Sequence, residues 1–192
     1  MNSLYKLFFK IYSNYKVAKS NFIVKYWHHR YRDHLTIRPS ASLSSDIVWN
    51  FANKGTGILI CEKVEVRPFC TFNVLEKGKI VLEKNVFINT YSSINCAISI
   101  VIGENTMLGE AVRVYDHNHV VLKDNGIQIE RHEFTSSPVI IGKNTWIGSN
   151  VTILKGVTIG DNVVIGAHNL IYKSIPSNSL VKSNSTYSHQ SF

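Results

Sequence analysis

The 192-residue chain is poor in charge and in cysteine, and it has no long apolar run. Charged residues make up 18% and hydrophobic residues 44%, a balance that argues against intrinsic disorder. The three cysteines, Cys61, Cys70 and Cys96, are odd in number and fall in no metal-ligand spacing. We interpret them as thiols of a protein in a reducing compartment, with Cys70 and Cys96 buried. No segment is apolar enough to span a bilayer or to serve as a signal peptide, which predicts a cytoplasmic protein.

Acidic residues are almost absent from the first 38 positions, where eight lysines and arginines stand against Asp33 alone. Apolar residues recur there at helical spacing, which predicts a basic amphipathic helix over residues 1–38. These apolar residues are Leu4, Leu7, Phe8, Ile11 and Tyr15. Two interpretations stay open: the helix packs on the rest of the protein or a neighbouring subunit, or it lies peripherally on an anionic membrane, at its inner face. No nucleic-acid-binding motif accompanies the charge, so we expect no nucleic acid partner.

A six-residue repeat runs through the last third of the chain. Isoleucine recurs there at six consecutive repeat positions, and glycine follows four of them. The six positions are Ile141, Ile147, Ile153, Ile159, Ile165 and Ile171. The same repeat occurs upstream in two parts, at Leu82, Ile88 and Ile94 and at Ile102, Leu108 and Val114. This period fits neither a helix nor a simple strand alternation, and it is typical of a parallel β-helix with short strands and tight turns.

The repeat predicts the organisation of the chain. We expect a helical extension over residues 1–38, a β-helix domain over 56–176 that Pro176 closes, and a polar tail over 177–192. The helix and the tail are the available caps for the two ends of the β-helix. The repeat stops over residues 115–138, which begin with Tyr-Asp-His-Asn-His. This interruption predicts a protruding loop, and it is where we expect the chemistry.

Three short segments are more specific than the repeat itself: Asp-His-Asn-His at 116–119, Trp-Ile-Gly at 146–148 and Lys-Ser-Ile-Pro at 173–176. With the repeat they resemble the hexapeptide-repeat acyltransferases, in the branch of galactoside and maltose O-acetyltransferases and their surface-polysaccharide relatives. The resemblance covers about half the chain. It implies an all-β fold, a left-handed parallel β-helix with an N-terminal helical extension and a protruding active-site loop. It also implies a homotrimer with active sites between subunits, acetyl-CoA as acyl donor and no required metal.

The resemblance assigns roles to seven residues. His117 matches the general base, a role that suits imidazole because its ordinary pKa lies near neutral pH. His119 is the rival, as base or as a residue that binds or orients the acceptor, and Asn89 matches an asparagine near the acceptor hydroxyl. The candidates for coenzyme binding are Trp146, which matches a residue of the acceptor pocket, Ser149 through its backbone N–H as oxyanion donor, Ala167 and Lys173. Each also has an ordinary structural explanation, such as a turn, a packing contact or a solvated side chain.

The resemblance implies transfer of an acetyl group from acetyl-CoA to a sugar hydroxyl of a surface glycan or its precursor, in a ternary complex. N-acetylation of a nucleotide-linked amino sugar is a close alternative. A metal-dependent hydratase like the γ-carbonic anhydrases is a different class, and a non-catalytic scaffold is another. The hydratase would draw its ligands from His117, His119, His132 and His168, which lack that family's spacing. The C-terminal Gly-x-Pro-Ala-Lys/Arg segment of the acyltransferases is absent here, which concerns donor binding rather than fold.

Overall fold

The computed structural model describes residues 3–38, 40–52, 55–75, 77–123 and 126–182. Within α1, the side chains of residue 11 and of residues 18–30 are described. The residues of the predicted amphipathic face other than Ile11 lie outside the described side chains, and most of the tail lies outside the described residues altogether. The described part is one helix followed by a parallel β-helix, which confirms the expected fold class.

The helix α1 spans Ser3–Arg30, and the strands of the β-helix then follow three to a coil. The first coil contains β1 (Leu35–Ile37), β2 (Ser42–Leu43) and β3 (Val48–Phe51), and the second β4 (Gly57–Ile60), β5 (Glu65–Val66) and β6 (Thr71–Val74). The third contains β7 (Lys79–Leu82), β8 (Phe87–Ile88) and β9 (Ser93–Cys96), and the fourth β10 (Ser99–Ile102), β11 (Met107–Leu108) and β12 (Arg113–Tyr115).

An antiparallel hairpin, β13 (His117–Leu122) and β14 (Gln128–Ser136), interrupts the coils at this point. The fifth coil contains β15 (Val139–Ile141), β16 (Trp146–Ile147) and β17 (Thr152–Ile153), and the sixth β18 (Thr158–Ile159), β19 (Val164–Ile165) and β20 (Leu170–Ile171). The last strand is β21 (Leu180–Val181). The first, second and third strands of each coil form sheets A, B and C, so the turns between them make three corners, AB, BC and CA.

The repeated aliphatic residues fill the interior of the coils. Ile102 pairs in register with Ile141, and Ile141 with Ile159, so equivalent side chains stack from coil to coil. These three are at most 1% exposed. Each short strand therefore places one aliphatic residue inside, which explains the six-residue period. Burial of apolar surface, at about 25 cal/mol per Å², is the main favourable term that holds such coils together.

Asparagine residues form a ladder along the AB corner. Their side-chain amides bond to one another from coil to coil, with N···O distances of 2.9, 3.1, 3.3 and 3.0 Å. The ladder consists of Asn85, Asn105, Asn144, Asn162 and Asn178, whose φ angles lie between 53° and 60°. Asparagine tolerates this left-handed conformation better than other non-glycine residues. The ladder therefore serves both the tight turn and the cohesion of neighbouring coils.

The ladder predicts that Asn144→Ala is more destabilising than Asn144→Gly. Both variants lose the amide bonds to Asn105 and Asn162, but only alanine places a Cβ at a φ of 53°. The expected difference in the free energy of unfolding is about 1 kcal/mol, with glycine the more stable, and urea denaturation measures it. Equal stabilities would contradict a role for backbone conformation at this corner.

The β-helix begins earlier and ends later than the sequence indicates. Its first strand starts at Leu35 rather than near residue 56, and α1 ends at Arg30. The six-residue repeat does not reveal the first coil, because that coil is longer than the regular coils of three hexads. Its length follows from the pairing of Leu35 with Ile58. At the other end, the chain continues past Pro176, because β21 pairs with β19 in sheet B.

The end of α1 covers the first coil, as expected of a cap. Trp27 is 8% exposed, donates its indole N–H to the Ser44 carbonyl at 3.0 Å and meets Trp49 edge-on. Phe22 and Tyr26 of the same helix are exposed. Within the residues described, no helix has the apolar length needed to cross a bilayer.

The expectation of buried thiols is confirmed for Cys70 and Cys96. Cys70 donates to the Asn89 carbonyl at 3.1 Å, and burial raises its pKa to about 11. Burial and the nearby Asp116 carboxylate also raise the pKa of Cys96. Both thiols are therefore protonated near neutral pH, and neither is an activated nucleophile.

Candidate active site

The interruption of the repeat is a hairpin that leaves and rejoins the β-helix at one point of the CA corner. Val139 pairs with Ile100 in sheet A, so the coils continue in register across the insertion. The hairpin is closed at its base by the Ser137 N–H, which donates to the Asp116 carbonyl at 2.8 Å. The two strands of the hairpin, β13 and β14, are largely exposed. The insertion therefore projects outward while its first residues stay anchored to the core.

Asp116 lies completely buried beneath the hairpin. Its carboxylate accepts hydrogen bonds from the backbone N–H groups of Ala97, Ile98 and Ser99, at 2.6, 2.8 and 2.8 Å. Burial alone raises the pKa of Asp116, but the hydrogen bonds from His117 and these three N–H groups outweigh it. The pKa of this carboxyl therefore lies below its ordinary value. Asp116 is thus a buried, ionised and rigidly held carboxylate.

His117 is oriented by this carboxylate. Its Nδ1 lies 3.0 Å from the Asp116 Oδ1, and because a carboxylate only accepts, the proton of the neutral imidazole is on Nδ1. Nε2 then has a free lone pair, the form that a general base requires. The Phe134 ring packs edge-to-face on the imidazole, with centroids 5.0 Å apart, and the side chain is 14% exposed. His117 is therefore positioned from both sides.

A pocket of about 330 Å³ opens beside His117, lined by Tyr115, His117, Asn118, His119 and Leu154. His119 also lies here, but it is exposed and its Nδ1 meets the Glu130 backbone carbonyl at 3.2 Å rather than a carboxylate. Of the two imidazoles, only His117 has an acidic partner. The geometry therefore favours His117 as the base and leaves His119 as a wall of the pocket.

The other predicted residues lie elsewhere on the β-helix. Asn89, Ser149 and Ala167 follow β8, β16 and β19 of sheet B, so they are stacked at the BC corner. Trp146 is exposed on the outer face of the same sheet, and Lys173 follows β20 near the CA corner. Within one chain, the structure thus brings His117 and His119 together but separates them from Asn89 and Ser149.

Glu110 joins the residues of the BC corner, and the sequence did not reveal it. Its carboxylate accepts from the Asn89 side-chain amide at 3.1 Å and from the Ser149 hydroxyl at 2.9 Å. The Asn89 Oδ1 in turn accepts from the Thr90 N–H at 2.9 Å. Both ends of the Asn89 amide are therefore fixed. The sequence contains only an indirect indication of this contact. Leu108-Gly109 aligns in register with Ile147-Gly148, and this alignment places Glu110 beside Ser149.

The histidines of the hydratase interpretation are not gathered at one point. His117 and His119 lie at the base of the hairpin, His132 is exposed on β14, and His168 sits at the BC corner with a φ of 61°. In the described part of the chain, no three His, Cys, Asp or Glu side chains lie close enough together to hold a metal ion.

The fold and the site together define a parallel β-helix of hexapeptide repeats with a buried His–Asp pair at the base of an inserted hairpin. Residues 138–173 match the family model described as bacterial transferase hexapeptide (six repeats). The match identifies residues 138–173 as hexapeptide repeats of the kind found in these transferases.

Individual relatives are similar to the chain over a longer stretch than this model. The chain is 34% identical over 111 residues to the Escherichia coli protein WbbJ, assigned to lipopolysaccharide biosynthesis as an O-acetyl transferase, covering 55% of this chain and 57% of WbbJ. It is 41% identical over 97 residues to the E. coli galactoside O-acetyltransferase, covering 47% and 45% of the two chains. The chain thus spans about half the length of these relatives. Among solved structures, the Bacillus cereus N-acyltransferase AntD shares the fold, with a TM-score of 0.66, 18% identity and 80% of each chain covered.

Proposed function

We propose that the protein is an acetyl-CoA-dependent O-acetyltransferase that acetylates a sugar hydroxyl of a surface glycan or its precursor. The observation that carries the proposal is the His117–Asp116 pair, with a free Nε2 beside a pocket. The WbbJ and galactoside relatives, which are described as O-acetyl transferases, support the choice of a hydroxyl acceptor. The expected setting is the cytoplasm, where acetyl-CoA is the available donor.

In this proposal His117 handles the proton of the reaction. Its Nε2 takes the hydroxyl proton as the acceptor oxygen attacks the thioester carbonyl. The tetrahedral intermediate then expels the coenzyme thiolate, which receives the proton from the imidazolium. Asp116 holds the imidazole in the required tautomer and stabilises its positive charge during the reaction. No covalent enzyme intermediate is needed, since the described cysteines nearest this corner are protonated and buried.

The donor would bind along the BC corner. An N–H is needed where negative charge develops on the thioester oxygen. The backbone N–H of Ser149 has no hydrogen-bond acceptor among the described residues, so it is available for this role. Asn89, held by Glu110, lies beside it. Trp146 and Ala167 of sheet B, and Lys173 near the CA corner, are further candidate contacts of the coenzyme.

A trimer would unite the two halves of this site. The base lies at the CA corner and the Asn89–Glu110–Ser149 group at the BC corner, so neither corner of one chain is complete. Packing the CA corner of one subunit against the BC corner of the next supplies both halves to each of three sites. This repeats around a three-fold axis and closes, as cyclic oligomers require. The exposed Phe22 and Tyr26 on the basic helix support a peripheral contact with an anionic membrane in such an assembly.

The direct test is calorimetric titration of the protein with acetyl-CoA, followed by acceptor screening with a radioactive acetyl group. Saturable binding at one site per chain and a product whose label is released by mild alkali establish an O-acetyltransferase. An alkali-stable product indicates an amide, and therefore the amino-sugar alternative that AntD, described as an N-acyltransferase, supports. Absence of acetyl-CoA binding would refute the proposal.

Glu110 should support activity without supporting stability. We expect Glu110→Ala to lower kcat/KM by about tenfold, because the Asn89 amide and Ser149 lose a charge-assisted partner. Glu110 is exposed, so the free energy of unfolding should change by less than about 1 kcal/mol. Glu110→Gln, which keeps one acceptor oxygen, should recover part of the loss. Glu104→Ala is the matched control in the same coil, and an equal loss there would contradict the assignment.

A further inference from the structure

A second and larger cavity lies below the His117 pocket, where α1 meets the first two coils. Its volume is about 690 Å³. Six of the residues that line it, residues 29–34, come from the end of α1 and the segment after it, and they include His29, Arg30, Arg32 and His34. The strands contribute Asn50 and Asn73 among others. No residue assigned to the proposed reaction lines this cavity.

The lining favours an anion. Asp33 is the one acidic residue among the described residues that line the cavity, against two arginines and two histidines. Its ion pair with Arg32 is long, at 3.9 Å, and both side chains are largely exposed. The Arg30 guanidinium lies 5.2 Å from the Tyr31 ring centroid, which limits its positions. Arginine at the end of a helix also interacts with the helix dipole, but that effect explains neither a cavity nor the two histidines beside it.

Two other residues that line the cavity are fixed or have an unpaired hydrogen-bond donor. His34 stacks on Phe51, with ring centroids 4.4 Å apart, and its Nδ1 meets the Thr56 carbonyl at 3.0 Å, so the ring orientation is fixed. Trp49 also lines the cavity and is 5% exposed, yet its indole N–H has no partner among the described residues. Buried hydrogen-bond donors in native proteins nearly always have an acceptor, so an unpaired indole N–H beside a cavity is unusual.

Both pockets lie against one column of residues in sheet C. Tyr115, which lines the His117 pocket, pairs in register with Asn95, Asn95 pairs with Asn73, and Asn73 with Asn50. The three asparagine side chains bond in series, with both N···O distances 2.7 Å. Neighbouring strands are about 4.8 Å apart, so Asn73 lies about 10 Å and Asn50 about 14 Å below Tyr115. The register therefore places the cavity and the His117 pocket about 10–14 Å apart on the same side of the β-helix, with Asn95 buried between them.

We propose that this cavity binds the diphosphate group of an activated sugar whose hydroxyl is presented to His117. The inference rests on the proposed function, since it names the class of acceptor for that site. A hexose with a diphosphate on its anomeric carbon fits the separation of the two pockets. Arginine suits the anion because its guanidinium forms paired hydrogen bonds with phosphate oxygens. The carrier beyond the diphosphate is a nucleoside or a lipid, and both present the same group.

The test is calorimetric titration of the full chain with inorganic pyrophosphate and with uridine diphosphate. Two proteins are compared with wild type: Arg30→Gln combined with Arg32→Gln, and the matched control Arg38→Gln combined with Lys63→Gln. The control removes two charges from the first two coils at positions that do not line the cavity. We expect the first pair to weaken diphosphate binding by about tenfold for each arginine removed, and the control to change it less than about threefold.

Acetyl-CoA binding by the double variant and by the wild type shows how the diphosphate titrations are to be interpreted. Acetyl-CoA binding should be unchanged in the Arg30 and Arg32 double variant; a parallel loss would place the coenzyme's own phosphates in the cavity and overturn the inference. Absent diphosphate binding, or equal effects of the two double variants, also overturns it. Failure of the proposed function is separate, because it appears as absent acetyl-CoA binding in the wild type.

The source of the diphosphate is decided by a third arm with phosphatidylcholine vesicles that carry a minor fraction of a polyprenyl diphosphate. Vesicle binding that requires Arg30 and Arg32 supports the site with a lipid carrier. Binding of uridine diphosphate more tightly than pyrophosphate, with no vesicle binding, supports it with a nucleoside carrier.

Discussion

Replacing His117 by alanine is expected to lower kcat by about a thousandfold while leaving the affinity for acetyl-CoA unchanged. The loss follows from the removal of the only imidazole that pairs with a carboxylate in the described pocket, and general-base catalysis contributes about a hundredfold to ten-thousandfold. Steady-state transfer to the acceptor found by screening measures kcat, and calorimetry measures donor affinity.

Two histidines of the same hairpin serve as comparisons. His132 is exposed on β14, and His132→Ala should keep activity near that of the wild type. His119→Ala should cost about tenfold, as expected of a residue that lines the pocket without moving the proton. If His119→Ala instead matched the loss predicted for His117→Ala, the base would be His119 and the role of the Asp116 pair would be wrong.

Asp116→Asn is expected to damage both activity and stability. The asparagine keeps one acceptor oxygen and places an NH2 group at the other position, where it faces the Ala97 N–H on the Oδ1 side or the Ile98 and Ser99 N–H groups on the Oδ2 side, so in either orientation a buried donor meets a buried donor. The expected cost is about 3 kcal/mol of unfolding free energy, or a decrease in Tm of about 6–12 °C. The orientation with the NH2 group at the Oδ1 position opposes only the Ala97 N–H and lets the amide donate to the His117 Nδ1. This favours the tautomer protonated on Nε2, which cannot act as a base, so kcat should fall by about a thousandfold or more.

The matched control and the pH dependence separate the two effects. Asp161 also accepts from a backbone N–H, that of Lys143 at 2.7 Å, but it is exposed, so Asp161→Asn should cost less than about 1 kcal/mol. The folded-state pKa of Asp116 lies below its ordinary value of 3.8, so its contribution is complete above that pH. It is lost as the pH falls through the lower folded-state value. The stability gap between wild type and Asp116→Asn should therefore narrow in acid, and a gap constant with pH would contradict an ionised Asp116.

The six-residue period of the fold was predictable because every strand must bury an aliphatic side chain in the interior of the coil. Ile141, Ile147 and Ile153 each occupy the inside of a different sheet of one coil, so burial imposes the same residue type every six positions. The first coil was not predictable in this way. Its inward positions hold Ala41 and Trp49, whose unequal sizes do not continue the aliphatic repeat, and Trp49 also contacts Trp27 of α1.

The site was only partly predictable, for a related reason. His117 was predicted from its motif, but the acceptor role of Asp116 depends on N–H groups 17 to 19 positions upstream, at the turn from β9 into β10. Glu110 meets partners 21 and 39 positions away, and only the register of β8, β11 and β16 brings them together. Long-range contacts of this kind follow from the coil lengths, and a local pattern does not contain them.

The way in which the hairpin joins the β-helix has an evolutionary consequence. Residues 118–136, beyond His117, lie between β12 of sheet C and β15 of sheet A, and β15 still pairs directly with β10, so the scaffold does not depend on their length or sequence. Natural selection can exchange this hairpin for another without repacking the core, provided that Asp116 and Ser137 keep their connection. Acceptor specificity and thermal stability can then change independently of each other. Related chains can evolve to use different sugars with little effect on folding.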